Sequence, residues 1–274
     1  KIKDNQIQLD GKIYKTSENA YSGDNSVELT RAERLIVKKL KEAFMTNEKL
    51  NKHTRYLFSK GSMYKKYNGN LLIHGCIPLN SDGSFMQLEI DGEVYKGRSL
   101  LDKLESKIRE AYFENKKEND YFVYLWQGQA SPLFGKTQMK TFERSFIEDK
   151  NAWSEPNNPY FDLREDMKIL KDIFDEFELD FEKSKIINGH IPIKASSGES
   201  PIKANGKILS IDGGMSKSMN KSTGIGGYTL RFNSYGLVLV AHESFSSIEK
   251  IIKSEKDIIS NVSFTEDTPK RRFI

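Results

Sequence analysis

The spacing of apolar and polar positions divides the chain into helical and strand periods. Residues 1–27 are polar and mixed, with a turn at "SGDN", and predict an irregular segment or weak strands. At Thr30 the pattern changes. "TRAE" is a capping box, in which a Thr hydroxyl and a Glu carboxylate satisfy free amides of a first helical turn. Leu35, Ile36, Leu40 and Phe44 follow at helical spacing. Helical character is expected to continue, with a break, through "LNKHTRYLFSKGSMYKKY". "NGN" at 68–70 then turns the chain into a strand, Leu71–Ile73. The alternating "FMQLEIDGEVYKG" turns at Asp91-Gly92 and predicts a hairpin. Residues 98–115 predict a second amphipathic helix, and "DYFVYLW" (120–126) an aromatic, β-favouring strand. Residues 127–164 are irregular, with a short helix around "TFERSF"; residues 165–178 predict a third helix. "KIING", "KILSID", "GYTLRFNS" and "YGLVLVA" predict strands, and 245–257 a last helix. Without repeats or a low-complexity linker, the pattern predicts one α/β (α+β) unit over 28–257 with mixed strand order, and a tail over 258–274.

Composition narrows the class. Hydrophobic residues at 37% and charged residues at 30% fit a globular protein on the polar side. The 43 basic and 39 acidic residues leave a net charge of only +4, mixed along the chain, which argues against nucleic acid as a partner. "PKRR" at 269–272 is expected to be a solvated tail. The single cysteine, Cys76, permits no internal disulfide and fits a reducing compartment, with the cytoplasm as the default. The longest apolar run, "GLVLVA", is far too short for a membrane span.

Two of the four histidines stand in echoing contexts, "NGNLLIHGCIP" (68–78) and "KIINGHIPI" (185–193). His74 and His190 each end a short apolar run beside a glycine. A strand end holds an imidazole rigidly, and an adjacent glycine lets other groups approach closely, which suits a metal ligand. Two polar residues at a sheet edge would give the same pattern, and a catalytic metal ordinarily takes three or more protein ligands. Asp212 ends the strand "KILSID" and is a candidate for the same crevice. Cys76, two residues beyond His74, reads more readily as packing than as a ligand. The glycines of "STGIGGY" (222–228) read as a tight strand connection rather than an anion cradle, and "DGGMSKS" lacks phosphate-loop spacing. His53 sits in a polar helical stretch; His242 ends the strand "GLVLVA".

In chain order, "LLIHG", "YLW…SPLFGK", "INGHIPIK", "SIDGG" and "STGIGGYTL" resemble the C-terminal part of a class III (Firmicutes-type) fructose-1,6-bisphosphatase, a bacterial family of the calcineurin-like metallophosphoesterases. The resemblance covers about residues 28–250. It implies a β-sandwich flanked by helices, with helical insertions at 28–66 and 98–115. It also implies two metal ions at the strand ends, usually including Mn²⁺, with His74 and His190 as ligands of one ion.

The implied reaction is hydrolysis of fructose 1,6-bisphosphate to fructose 6-phosphate and phosphate, a step of gluconeogenesis. The family's other ligand motifs, Asp-x-His, Gly-Asp-x-x-Asp-Arg and Gly-Asn-His-Asp/Glu, have no counterpart here, so no catalytic residue is assigned within these residues. The chain is expected to be the C-terminal part of a longer protein, incomplete and inactive alone, with its N-terminal half as partner and self-association as a further expectation. Lys136 and Arg144 follow Trp126, where the superfamily often places a phosphate-binding cation. Lys194, Lys203, Lys217 and Lys221 are candidates for the second phosphate; ordinary surface charge is the alternative for each. A protein serine/threonine phosphatase and a non-catalytic fragment are the other readings.

Overall fold

The computed structural model describes residues 2–3, 5–9, 11–16, 28–114, 120–214, 216–233, 236–243, 247–254 and 260–267. Side chains 2, 3, 217, 251, 254 and 260–267 lie outside that description. In chain order the elements are β1 (Ile2–Lys3), β2 (Gln6–Leu9), β3 (Lys12–Lys15), α1 (Arg31–Thr46), α2 (Glu48–Lys60), β4 (Tyr64–Tyr67) and β5 (Asn70–Ile73). Next come β6 (Gln87–Ile90), β7 (Glu93–Lys96), α3 (Gly97–Phe113), α4 (Tyr121–Gln127), α5 (Thr141–Phe146), α6 (Tyr160–Leu163), α7 (Met167–Glu176), β8 (Ile186–Asn188), β9 (Ile202–Lys203) and β10 (Ile208–Ser210). The chain continues through α8 (Lys217–Thr223), β11 (Gly227–Asn233), β12 (Gly236–His242), α9 (Ile248–Ser254) and β13 (Ser260–Asp267).

The chain separates into two compact units where the pattern predicted one. The first comprises Lys1–Ser62, Leu104–Gln129 and Lys136–Asn157. Its small antiparallel sheet, β1-β2-β3, forms where the sequence predicted an irregular segment or weak strands. Ile7 is buried there with Ile147 and Ala152, and Leu9, Tyr14 and Trp153 pack on them. The capping box starts α1: Glu33 N donates to Thr30 Oγ1 at 3.2 Å and Thr30 N to Glu33 Oε2 at 2.7 Å. Neither α1 nor α2 buries a residue. The C-terminal end of α2 is tied down by Arg109, whose guanidinium donates to the Phe58 and Gly61 carbonyls, and by Phe58, which stacks on Tyr112 at 4.2 Å. Residues 121–127 are helix rather than the predicted strand. Leu125 is buried, Phe58 meets Phe122 edge-on, and Gly128 N closes the last turn onto the Tyr124 carbonyl. These contacts override a modest β propensity.

The second unit comprises Met63–Lys103, Ala130–Gly135 and Asn158–Ile274. Its main sheet has the order β4-β5-β8-β10-β9. The inner strands β5, β8 and β10 are parallel, in a register that aligns Leu71, Ile186 and Ile208, while β4 and β9 pair antiparallel at the edges. Tyr64–Tyr67, predicted helical, is therefore an edge strand. Its two lysines mask the alternation, and an exposed edge favours such charges. Leu72, Ile187 and Leu209 lie side by side on one face and pack against Leu230 and Leu237 of a second sheet, β11-β12-β13. β13 lies within the predicted tail; 268–274, including "PKRR", is outside the described residues. Buried Asn158 organises the loop before α6, accepting from Leu79 N and Tyr160 N at 3.0 Å each.

Candidate functional site at the carboxyl edge of the parallel strands

β5, β8 and β10 run in one direction and end level, at Ile73, Asn188 and Ser210. The residues that follow are His74, Gly189-His190 and Ile211-Asp212. Three sequence-distant candidates thus emerge at one carboxyl edge, where parallel sheets commonly place ligands. Backbone bonds fix the exits: Gly189 N donates to the His74 carbonyl at 3.0 Å, and Ile211 N to the Asn188 carbonyl at 2.8 Å.

The two imidazoles meet. His190 Nδ1 stands 3.1 Å from His74 Nε2, and His190 Nε2 stands 2.7 Å from the Phe134 carbonyl oxygen. That oxygen only accepts, so Nε2 carries a proton, and in the neutral ring Nδ1 then holds the lone pair. Fixing a histidine's tautomer with a backbone carbonyl is the usual support for a metal-bound ring. Two nitrogens sharing one tetrahedral ion at about 2.0–2.1 Å each stand roughly 3.3 Å apart, close to the observed separation. Desolvation and then the neighbouring His190 imidazole hold the His74 pKa below its ordinary value, against the opposing pull of Asp212. Neutral His74 is the form that can ligate. His190 adopts φ 69°, a left-handed conformation uncommon for a side-chain-bearing residue, which costs of order 1–3 kcal/mol. Among the described residues no group of three or more His, Cys, Asp or Glu side chains could hold a metal ion. The pair supplies two donors with ligand-like spacing and tautomer.

The motif glycines differ in role. A Cβ on Gly75 would lie 2.5 Å from the Pro132 carbonyl oxygen, so glycine is required by backbone packing. A Cβ on Gly189 would meet only ordinary contacts, at 3.7 and 3.8 Å. In the "STGIGGY" stretch the glycines serve the chain path. Gly224 terminates α8 in the left-handed region, and Gly226 N bonds to the His242 carbonyl at 2.7 Å.

Asp212 acts electrostatically on His74, while its Oδ1 accepts from Gly214 N at 2.8 Å. Lys136 and Arg144 converge on one carboxylate in the first unit. Glu155 Oε2 is 2.6 Å from Lys136 Nζ and 3.2 Å from Arg144 Nη2. Lys194 and Lys221 are exposed, Lys203 pairs with Glu199 at 3.0 Å, and the Lys217 side chain lies outside the described residues. Cys76 is wholly buried, and burial pushes its thiol pKa up to about 12, which makes it packing rather than a reactive group. His53 is exposed; His242 lies 2.7 Å from Thr229 Oγ1. The Phe134 carbonyl, central to the pair, is a backbone group that no residue-type pattern reveals.

The chain is thus a mixed α/β protein with a paired-imidazole site at the end of parallel strands. The family model described as Firmicute fructose-1,6-bisphosphatase matches residues 1–274. Curated relatives include the class 3 fructose-1,6-bisphosphatase of Clostridium botulinum strain Langeland, 50% identical over 99% of this chain and 42% of its own length. That of Clostridium acetobutylicum is 49% identical over the same shares. The chain therefore belongs to the Firmicute fructose-1,6-bisphosphatase family, and it spans 42% of the length of these relatives. No solved structure matches. Among the described residues, no helix is long and apolar enough to cross a membrane.

Proposed function

We propose that the full-length protein hydrolyses fructose 1,6-bisphosphate to fructose 6-phosphate and phosphate, and that this chain supplies part of the metal site. The observation that carries the reading is the 3.1 Å approach of His74 Nε2 to His190 Nδ1, with the His190 tautomer set by Phe134. His74 and His190 would hold one divalent ion, with Mn²⁺ as the proposed metal. When bound, such an ion supplies Lewis-acid stabilisation of phosphate oxygens and a water nucleophile at neutral pH. Phe134 keeps the His190 proton on Nε2, leaving Nδ1 free to bind. Asp212, charged beside His74, favours a cation at the ring. The two-sheet packing of Leu72, Ile187 and Leu209 on Leu230 and Leu237 supports the metallophosphoesterase sandwich as the finer fold. The remaining ligands are proposed to come from elsewhere in the polypeptide, in a cytoplasmic enzyme.

The test is phosphate release from fructose 1,6-bisphosphate with Mn²⁺, by the 274-residue chain and by a protein of the relatives' full length. Turnover in the long protein alone supports both the reaction and the divided site. Turnover in neither refutes the reaction; turnover in the short chain refutes the division. Phosphopeptide hydrolysis without sugar bisphosphate hydrolysis would reassign the substrate.

A further inference from the structure

Arg164 lies within the charged stretch "DLRED". In the second unit it follows α6 and is only 7% exposed. Its Nε is buried without a partner, and among the described residues its guanidinium makes no hydrogen bond or ion pair. Tyr160 lies four residues earlier, on the same side of the turn. Its phenol is fully buried, its Oη has no hydrogen-bond partner among the described residues, and it lies within reach of the Arg164 charge. Glu199 also feels that charge, but its carboxylate already accepts from Lys194 N at 2.9 Å and Lys203 Nζ at 3.0 Å.

A guanidinium is permanently charged and carries five donors. Burying its Nε unpaired is costly, and an orphaned phenol adds to the cost. A buried guanidinium nitrogen and a phenol within reach of its charge, both without hydrogen-bond partners, match a ligand that is anionic and rich in oxygen acceptors. The planar fork of arginine fits phosphate through paired hydrogen bonds. The position ties the pair to the histidine site. The Arg164 guanidinium lies 5.2 Å from the centre of the Phe161 ring, and Phe161 and His190 both flank Gly135. A Cβ on Gly135 would stand 3.1 Å from Phe161 Cε2 and 3.2 Å from His190 Cδ2.

We propose that Arg164, assisted by the Tyr160 hydroxyl, receives a phosphate group next to the histidine pair. Resting on the bisphosphate reading above, that group is the substrate phosphate that is not cleaved. Arg164 is then a specificity residue for a doubly phosphorylated sugar.

The test uses the full-length protein, with Arg164→Gln, Arg164→Lys and Tyr160→Phe. Inorganic phosphate binding is measured by calorimetry, and KM and kcat are measured with fructose 1,6-bisphosphate. Arg164→Gln is expected to weaken phosphate binding by about 10- to 100-fold, the worth of hydrogen bonds to a charged group. KM should rise by more than kcat falls. Arg164→Lys should recover part of the affinity. Tyr160→Phe, which removes only an unpartnered hydroxyl, should weaken binding by about 5- to 10-fold with an unchanged unfolding midpoint. Unchanged phosphate affinity and KM in Tyr160→Phe and Arg164→Lys would overturn the proposal, as would lost stability in Arg164→Gln with phosphate affinity retained. If the wild-type protein binds phosphate through Arg164 but does not hydrolyse the bisphosphate, the reaction fails and the phosphate site stands.

Discussion

Gly75 and Gly189 flank the two histidines in mirrored order, yet the structure assigns them opposite tolerances. In Gly75→Ala the new Cβ would lie 2.5 Å from the Pro132 carbonyl oxygen and 3.3 Å from that of Leu133. Both obstacles are backbone, so the 130–135 segment must shift rather than a side chain rotate. Overpacking of this kind costs about 1–3 kcal/mol. The shift also threatens the Cys76 N to Pro132 carbonyl bond, 3.0 Å long and worth about 1 kcal/mol. The total of roughly 2–4 kcal/mol corresponds to a midpoint lowered by about 4–15 °C. Gly189→Ala meets only van der Waals contacts at 3.7 and 3.8 Å, without positive φ. It should be neutral or stabilise by about 0.4–1 kcal/mol, through a less flexible unfolded chain. Thermal unfolding followed by circular dichroism at one pH compares the pair. Equal midpoints in the two variants, or a larger loss in Gly189→Ala, would refute the packing assigned to the two motifs.

Cys76, with its thiol pushed up to about 12, should resist a thiol reagent at pH 8 in the folded protein and react fully in denaturant; rapid native labelling would contradict its burial. Burial pushes the Glu155 carboxyl up, but Lys136, the Lys140 amide and Arg144 outweigh it and leave its pKa below the ordinary value. A lowered native pKa stabilises the fold above the unfolded value, near 4.5, and the contribution fades as pH falls through the native value. Glu155→Gln should cost about 1–3 kcal/mol at pH 7 and flatten the acid limb of a urea-midpoint profile; an unchanged limb would remove Glu155 from the account. Asn158→Ala should cost roughly 2–4 kcal/mol in urea unfolding, because the Leu79 and Tyr160 amides both lose their acceptor; a near-neutral result would refute that bonding role.

The strands that build the site were legible because each is short and apolar, and two of them lead directly to one of the four histidines. Leu71–Ile73 and "KIING" are buried runs, and the rarity of histidine makes their echo visible. What remained hidden depends on partners distant in sequence. Tyr121–Gln127 is rich in β-favouring aromatics, but Phe58 and the burial of Leu125 make it helical. Tyr64–Tyr67 carries its alternation beneath two lysines, and its strand state comes from pairing with β5. Ser260–Asp267 is polar enough to read as a tail until β12 offers it an edge. Arg164 sits among acids in the sequence, yet its burial is set by tertiary packing. Lys136 and Arg144 show the converse: cations chosen for a phosphate share the Glu155 carboxylate in this structure.

The central claim is that His74 and His190 bind one ion together. Mn²⁺ titration of the full-length protein, followed by calorimetry, tests it in His74→Ala and His190→Ala. Each substitution should weaken one Mn²⁺ by at least about 100-fold, more than the loss of an outer supporting contact ordinarily costs, and lower fructose 1,6-bisphosphate turnover in parallel. Unaltered Mn²⁺ affinity and turnover in either variant would contradict a shared metal site.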